Sequence, residues 1–495
     1  MALTGANVAT TFAKLLKEYY QAPITDQINQ QVWAIKYFEK RKQGWTGSQM
    51  ILPVHISRNT GVAFAGEGDD LPQAGKQGYE RLVVQSKNMY GRIELTGNLM
   101  DTATGSNAGS FASAMTEEMD RLVQDVVNQE NKAAIFGGSV IGVISERKGA
   151  VVAGSTVKEL VGNDSTLSTA DAASTFEYNG SFDFFDGTLA KAVSSSDLAT
   201  YVKVRLFRSD TLAEIVPTVN ADGTAAAIPN IYVSDFANNR TNPTITLRFG
   251  AENAVATSLS VNIGAANAAG IIVMLADTAG VNGQNPTVVN PSSGFKVLPA
   301  SLPSGLFDNL CNPTHFGITR QDGGTAPILQ STVITHGQGA TSVRSDPDSD
   351  FSLERLQYVL DTLLHDSGTT PNVMLMSALM RHRYTVQLTG VLGTSASNIR
   401  TGGDSGRLVE NQDDLAYGGI KFEYDRHFPI STIAFINTEP WLFCELTSGQ
   451  WADSDGNILS RVSSKDAYEA YWKHRYNMVC RRPNSQALLV GINPV

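Results

Sequence analysis

The residues of this 495-residue sequence that could do chemistry are too scattered to do it. Histidines at 55, 315, 336, 365, 382, 427 and 474 never fall four apart or within five of one another. A histidine-based metal site would therefore have to be assembled from distant segments. Asp453, Asp455 and Asn457 begin like a calcium loop, but Ile458 stands where the glycine belongs and Ser464 where the bidentate acid belongs. DSDGN therefore reads as a turn. No GxxxxGK[ST], GxGxxG, HExxH or GxSxG motif occurs, so neither phosphate-cradling, zinc-protease nor serine-hydrolase chemistry is indicated. Cys311, Cys444 and Cys480 are widely spaced and odd in number, and read as buried free thiols. No catalytic residue, metal or cofactor is expected, and His474 reads as a buried, hydrogen-bonded side chain.

What remains is charge of the kind that joins surfaces. Glu67, Asp69 and Asp70 stand in Gly61–Gly78, GVAFAGEGDDLPQAGKQG, a glycine-rich loop with too little apolar content to fold on itself. A loop tip meeting a basic patch on another subunit is the favoured reading, ahead of a merely solvated tip and, last, a divalent-cation site. Arg381, Arg383, Arg481 and Arg482 are the candidate cationic partners, and each could equally serve a local salt bridge.

The elements that must position these residues are unusually long. QMILPVHISR (49–58) and YERLVVQSKNMYGRIELT (79–96) alternate as strands around that loop. The segment Ser110–Gly137 follows as one charged helix, with Phe111, Met115, Met119, Leu122, Val126 and Ala133 in a narrow apolar stripe and Glu130 and Lys132 off it. Such a helix spans roughly 40 Å, more than a compact core needs. Near the C-terminus, Glu469–Arg481 alternates strictly, with Ala470, Trp472, His474, Tyr476, Met478 and Cys480 on one side.

Between these elements lie two further regions. From 141 to 346 the composition turns to Ala, Ser, Thr, Val and Asn with short β-branched runs, which predicts an inserted all-β domain. From 347 to 446 Ser352 caps a helix ending at Gly368, NVMLM is a buried strand, Ser377 caps a helix stopped by Gly390, and three strands follow. Residues 1–45 form an arm with one short amphipathic helix.

Bulk composition agrees with permanent interfaces. Charged residues make up 17% of the chain, below the ~25% of average soluble proteins, so much of the surface is uncharged. The net charge of −10 argues against a chain that grips nucleic acid through clustered Lys and Arg. No segment reads as a signal peptide or a membrane span.

Four stretches, MYGRIELTGNLMDTA (89–103), 351–384, 417–446 and 470–492, keep an order and spacing that resembles the major capsid protein family of tailed bacteriophages, the Hong Kong 97-like fold. The resemblance covers about a third of the chain. It implies an α+β fold: an N-terminal arm (1–45), an extended hairpin loop (46–96), a peripheral domain with the spine helix and return strand (97–140 plus 447–495), and an axial α/β domain (347–446), with 141–346 inserted. It also implies a homo-oligomer of hexamers and pentamers in an icosahedral virion shell, assembled in the host bacterial cytoplasm and enclosing double-stranded DNA without sequence-specific binding. A separate scaffolding protein and a portal protein would be its partners, a decoration protein is a further candidate, and no membrane is involved. Some members crosslink through a loop lysine; Lys76 lies in the corresponding loop, with nothing around it that marks an isopeptide site. The alternative from the residues alone is a glycan-binding or hydrolytic enzyme with a β-sandwich module, which would need convergent acids or a nucleophile and base.

Overall fold

The computed structural model describes residues 33–38, 42–96, 108–144, 202–215, 302–335, 351–392, 415–425, 427–429, 432–453, 460–462, 465–490 and 492, with the short strands Ser165–Ser168, Thr218–Ala221, Thr224–Ala227, Ile231–Ala237, Thr244–Phe249, Ser260–Asn262, Ile271–Leu275, Val288–Val289 and Lys296–Val297. All belong to the compact unit Val32–Val495. Most of the expected arm lies outside the described residues. No helix among them is long and apolar enough to cross a membrane.

The chain enters through α1 (Ala34–Phe38) and the short strand β1 (Lys42–Gly44). Next come β2 (Gln49–Ser57) and β3 (Gly78–Gln85), antiparallel partners from Gln49 opposite Gln85 to Ser57 opposite Gly78. Alternation splits the hairpin into two faces. Leu52, Leu82 and Val84 are buried at its root against Ile318, Ala326, Leu329, Cys444 and Val479. Strand β4 (Lys87–Thr96) leads to the helix α2 (Ala108–Phe136), whose 29 residues extend about 43 Å.

Strand β5 (Val140–Ile144) follows. With β6 (Val202–Arg208), β7 (Ile271–Leu275) and the strands Ser165–Ser168, Glu214–Ile215, Ile231–Ala237 and Thr244–Phe249 it forms a seven-stranded sheet. The later elements are α3 (Leu306–Cys311), β8 (Thr332–Thr335), α4 (Leu353–Ser367), β9 (Val373–Met376), α5 (Ala378–Leu392), β10 (Ala416–Tyr417), β11 (Ile420–Tyr424), β12 (Ile433–Ile436), β13 (Trp441–Trp451), β14 (Ala467–Cys480) and β15 (Ala487–Val490).

Two sheets carry the architecture. In the first, the 14-residue β14 pairs β13 along one edge and β4 along the other, and β1 joins parallel to β13. Helix α2 lies on this sheet at Gly91 of β4. A β-carbon there would stand 3.1 Å from Val126 Cγ2 and 3.3 Å from Leu122 Cδ2, so only glycine lets helix and strand approach this closely. Gly91→Leu should therefore lower stability by ~2–3 kcal/mol through overpacking. A denaturant midpoint equal to that of the wild type would show that the helix can shift to accommodate it.

The second sheet runs β8, β15, β12, β9, β11, β10. Its central strands are apolar throughout because both faces are covered. Val373, Leu375, Ala434, Ile436, Leu488 and Val490 face a core shared with Phe136, Trp441, Phe443 and Met478. Met374, Met376, Ile433, Phe435, Ala487 and Leu489 face the helices α4 and α5 through Leu356, Val359, Leu363, Met380 and Tyr384. As expected, the Ser352 hydroxyl caps α4 by accepting from Arg355 N, and Gly368 ends it at φ 65°. Helix α5 is capped by Ser377 but runs through Gly390 to Leu392 rather than stopping there.

Three sequence boundaries fail for one reason: strands are shared across sheets by packing, not by position in the chain. The limit near Asp346 is wrong, since β8 pairs parallel with β15, and Leu306, Phe307, Leu310 and Cys311 sit in the core of the first sheet. The limit at 446 cuts β13, which continues to Trp451 against β14 through register shifts between Glu445 and Thr447 and between Thr447 and Gln450. Strand β15, expected with the peripheral elements, lies inside the second sheet between β8 and β12. Glu130 and Lys132, placed off the apolar stripe, are buried. Of that stripe, Val126 and Ala133 are buried and Met119 and Leu122 half-buried; the surroundings of Phe111 and Met115 lie outside the described residues.

Candidate assembly interface

The hairpin is anchored at its root and unsupported at its tip. Beneath the root, Val83 N donates to Phe316 O at 3.1 Å. The segment behind it is fixed by the wholly buried Arg320, whose guanidinium donates to the carbonyls of Asn312 and Asn309 at 2.5 and 2.6 Å. Beyond Ser57 almost every side chain up to Gln77 is exposed. Val62 is 85% exposed, Leu71 86% and Phe64 fully. A phenylalanine and two aliphatic side chains held this far from their own core leave several kcal/mol of burial unrealised.

The expected charged residues fall in two places. Asp69 Oδ2 accepts from Gly66 N at 2.8 Å and serves the local turn. Among the described residues, Glu67 and Asp70 meet no cation, and Lys76, exposed just before β3, meets no anion. Arg381 lies over the Tyr424 ring at 4.5 Å, half-buried like Arg383 on the same helix. Arg481 is exposed at the end of β14, and Arg482 donates to Ser367 O at 2.5 Å. The fold thus separates the two arginine pairs.

Of two buried polar joints, sequence reasoning missed one whole; in the other His474 is buried and hydrogen-bonded as expected, but its partners were missed. In the first, Asp425 at the end of β11 accepts from Trp33 N (2.8 Å) and Ala34 N (3.3 Å) of α1, from Asn131 Nδ2 of α2 (2.9 Å) and from His427 N (2.8 Å). Burial works to raise its pKa, but the His427 and Asn131 hydrogen bonds prevail and hold it below the usual 3.8. One carboxylate so ties the first helix, the long helix and the second sheet together.

In the second joint, His474 on β14 meets Glu130 of α2 through Nδ1 and Glu445 of β13 through Nε2, the latter at 2.9 Å. Burial works to lower the His474 pKa; the hydrogen bond and charge of Glu130, then those of Glu445, outweigh it and the net shift is upward. The signal for Glu130 was present in the sequence, because it stands four residues after Val126 and three before Ala133, on the stripe itself. Asp425 left no such trace.

No family model matches the chain, and no curated relative does. The solved structures it is similar to include phage capsids. The cyanophage A-1(L) capsid asymmetric unit matches with a TM-score of 0.48 at 8% identity, over 97% of this chain and 98% of that one. Mycobacterium phage Bobi matches with a TM-score of 0.40 at 9% identity, over 98% and 99%. The capsid of a native GTA particle matches with a TM-score of 0.41 at 10% identity, over 99% and 100%.

Proposed function

We propose that this chain is the major capsid subunit of a tailed bacteriophage, building by self-assembly the icosahedral shell around packaged double-stranded DNA. The observation that carries the reading is the rigidly rooted hairpin whose tip displays Val62, Phe64 and Leu71 to solvent. A second copy of the chain, in a closed symmetric lattice, supplies the surface those side chains lack. In that lattice the unpaired Glu67 and Asp70 meet cations of a neighbour, with Arg481 the favoured one. The net charge of −10 suits a wall that encloses DNA without gripping it.

Hexamers and pentamers, a separate scaffolding protein, a portal protein and a decoration protein belong to the same reading, as does assembly in the bacterial cytoplasm. The strands within 140–275 we read as an inserted β module whose base, through Phe207, Ile272 and Met274, enters the main core. A hydrolytic function needs a base open to substrate, whereas His474 and His427, each facing a carboxylate, are buried. Negative-stain microscopy of the purified chain, alone and with its scaffolding protein, should show closed shells. Dispersed monomers under both conditions would refute the proposal.

A further inference from the structure

His474 faces a carboxyl group on each ring nitrogen. When both carboxyls act as acceptors, both nitrogens must donate, and only imidazolium does that. Among the described residues no group of three or more His, Cys, Asp or Glu side chains is placed to hold a metal ion. Glu130, His474 and Glu445 each come from a different element: α2, β14 and β13. We propose that Glu130, His474 and Glu445 form a proton-dependent clamp on the C-terminal half of helix α2, and that loss of the His474 proton loosens that half of the helix against the sheet.

The surroundings make the clamp sensitive. Apart from the two acids, His474 is walled by the rings of Tyr476, Trp472 and Phe443 at 4.6, 5.6 and 5.9 Å between centroids. Across on β4 stands Met89, with Lys87 opposite Tyr476 and Tyr90 opposite Lys473. Lys132 is buried two residues after Glu130 on α2, while Lys473 and Arg475 alternate to the other face of β14. In so little water a charge-assisted hydrogen bond is strong. A neutral imidazole donates once, so one of the two His474–carboxyl hydrogen bonds is lost when the proton leaves.

The sign follows from the geometry and from the upward shift. A pKa raised above the ordinary 6.5 means the stabilisation is fully present below that value and is lost as pH climbs through the folded-state pKa. The clamp is built within one chain and does not depend on the shell reading.

The experiment follows the full-length chain through that range. With 13C-labelled histidine, the His474 resonance, assigned by its loss in His474→Gln, should titrate above 6.5. Hydrogen exchange corrected for intrinsic rates should show protection of residues 126–136 falling about tenfold across that titration, while the α4 amides of 353–367 hold theirs. In His474→Gln the pH dependence of 126–136 should vanish. A His474 midpoint at or below 6.5, unchanged wild-type protection, equal loss in α4, or an unaltered profile in the variant would each overturn the clamp. Should His474→Gln fail to fold, assignment by Glu130→Gln, which should lower the His474 midpoint, and the wild-type profile decide the matter.

Discussion

Deleting residues 62–77 should leave a soluble, folded subunit that forms no particles. The loop contributes nothing to its own core: Val62, Phe64 and Leu71 are exposed, and the buried contacts of the hairpin begin at Leu52 and Leu82. Its neck is already closed, since a β-carbon on Gly61 would come within 2.6 Å of Gly75 N, so Arg58–Gly61 can rejoin Gly78 as a short turn. In the shell, each of the three apolar side chains would bring roughly 1.5–3 kcal/mol on burial, repeated at every copy. Sedimentation and negative-stain microscopy should show monomer or small oligomer with an unchanged melting temperature. Heat-resistant shells from the deleted chain would end the argument that the tip joins neighbours.

Asp425→Ala should be the most damaging single substitution, costing about 4 kcal/mol. It removes the acceptor of four buried donors, Trp33 N, Ala34 N, Asn131 Nδ2 and His427 N. Donors left unpaired in a dry site lose their hydration without recompense, and the losses are not additive. Chemical denaturation should report the loss, and proteolysis should newly cut near α1, because Asp425 holds its first amides. The pH profile gives a second check. A carboxyl held below its usual pKa contributes stability above the unfolded value, and loses it as pH falls through the folded one. The wild type should therefore weaken in acid more than Asp425→Ala does. Equal stability of the two proteins at neutral pH would show that the joint is dispensable.

The sequence by itself determined the elements, because periodicity is local. The alternation of 49–58, 79–96 and 469–481, the helical stripe through Val126 and Ala133, and the Ser352 and Gly368 caps all follow from residue spacing and backbone preference. It also indicated that the glycine-rich loop 61–78 could not bury itself, since Val62, Phe64 and Leu71 are too few to make a core of their own. Tertiary structure decided which strands became neighbours. Strand β8 joins β15 across some 150 residues, and β13 belongs with β14 rather than with the strands preceding it. Such pairings depend on loop closure and on which faces remain uncovered, and neither is written in a window of ten residues. The same holds for the buried charges. Spacing puts Glu130 on the buried stripe but cannot name its partner until β14 brings His474 to it, and Asp425 reads as a strand end until α1 and α2 converge on its oxygens. A buried ion is tolerable only with partners in place, so its role is set by contacts that form when the whole chain folds.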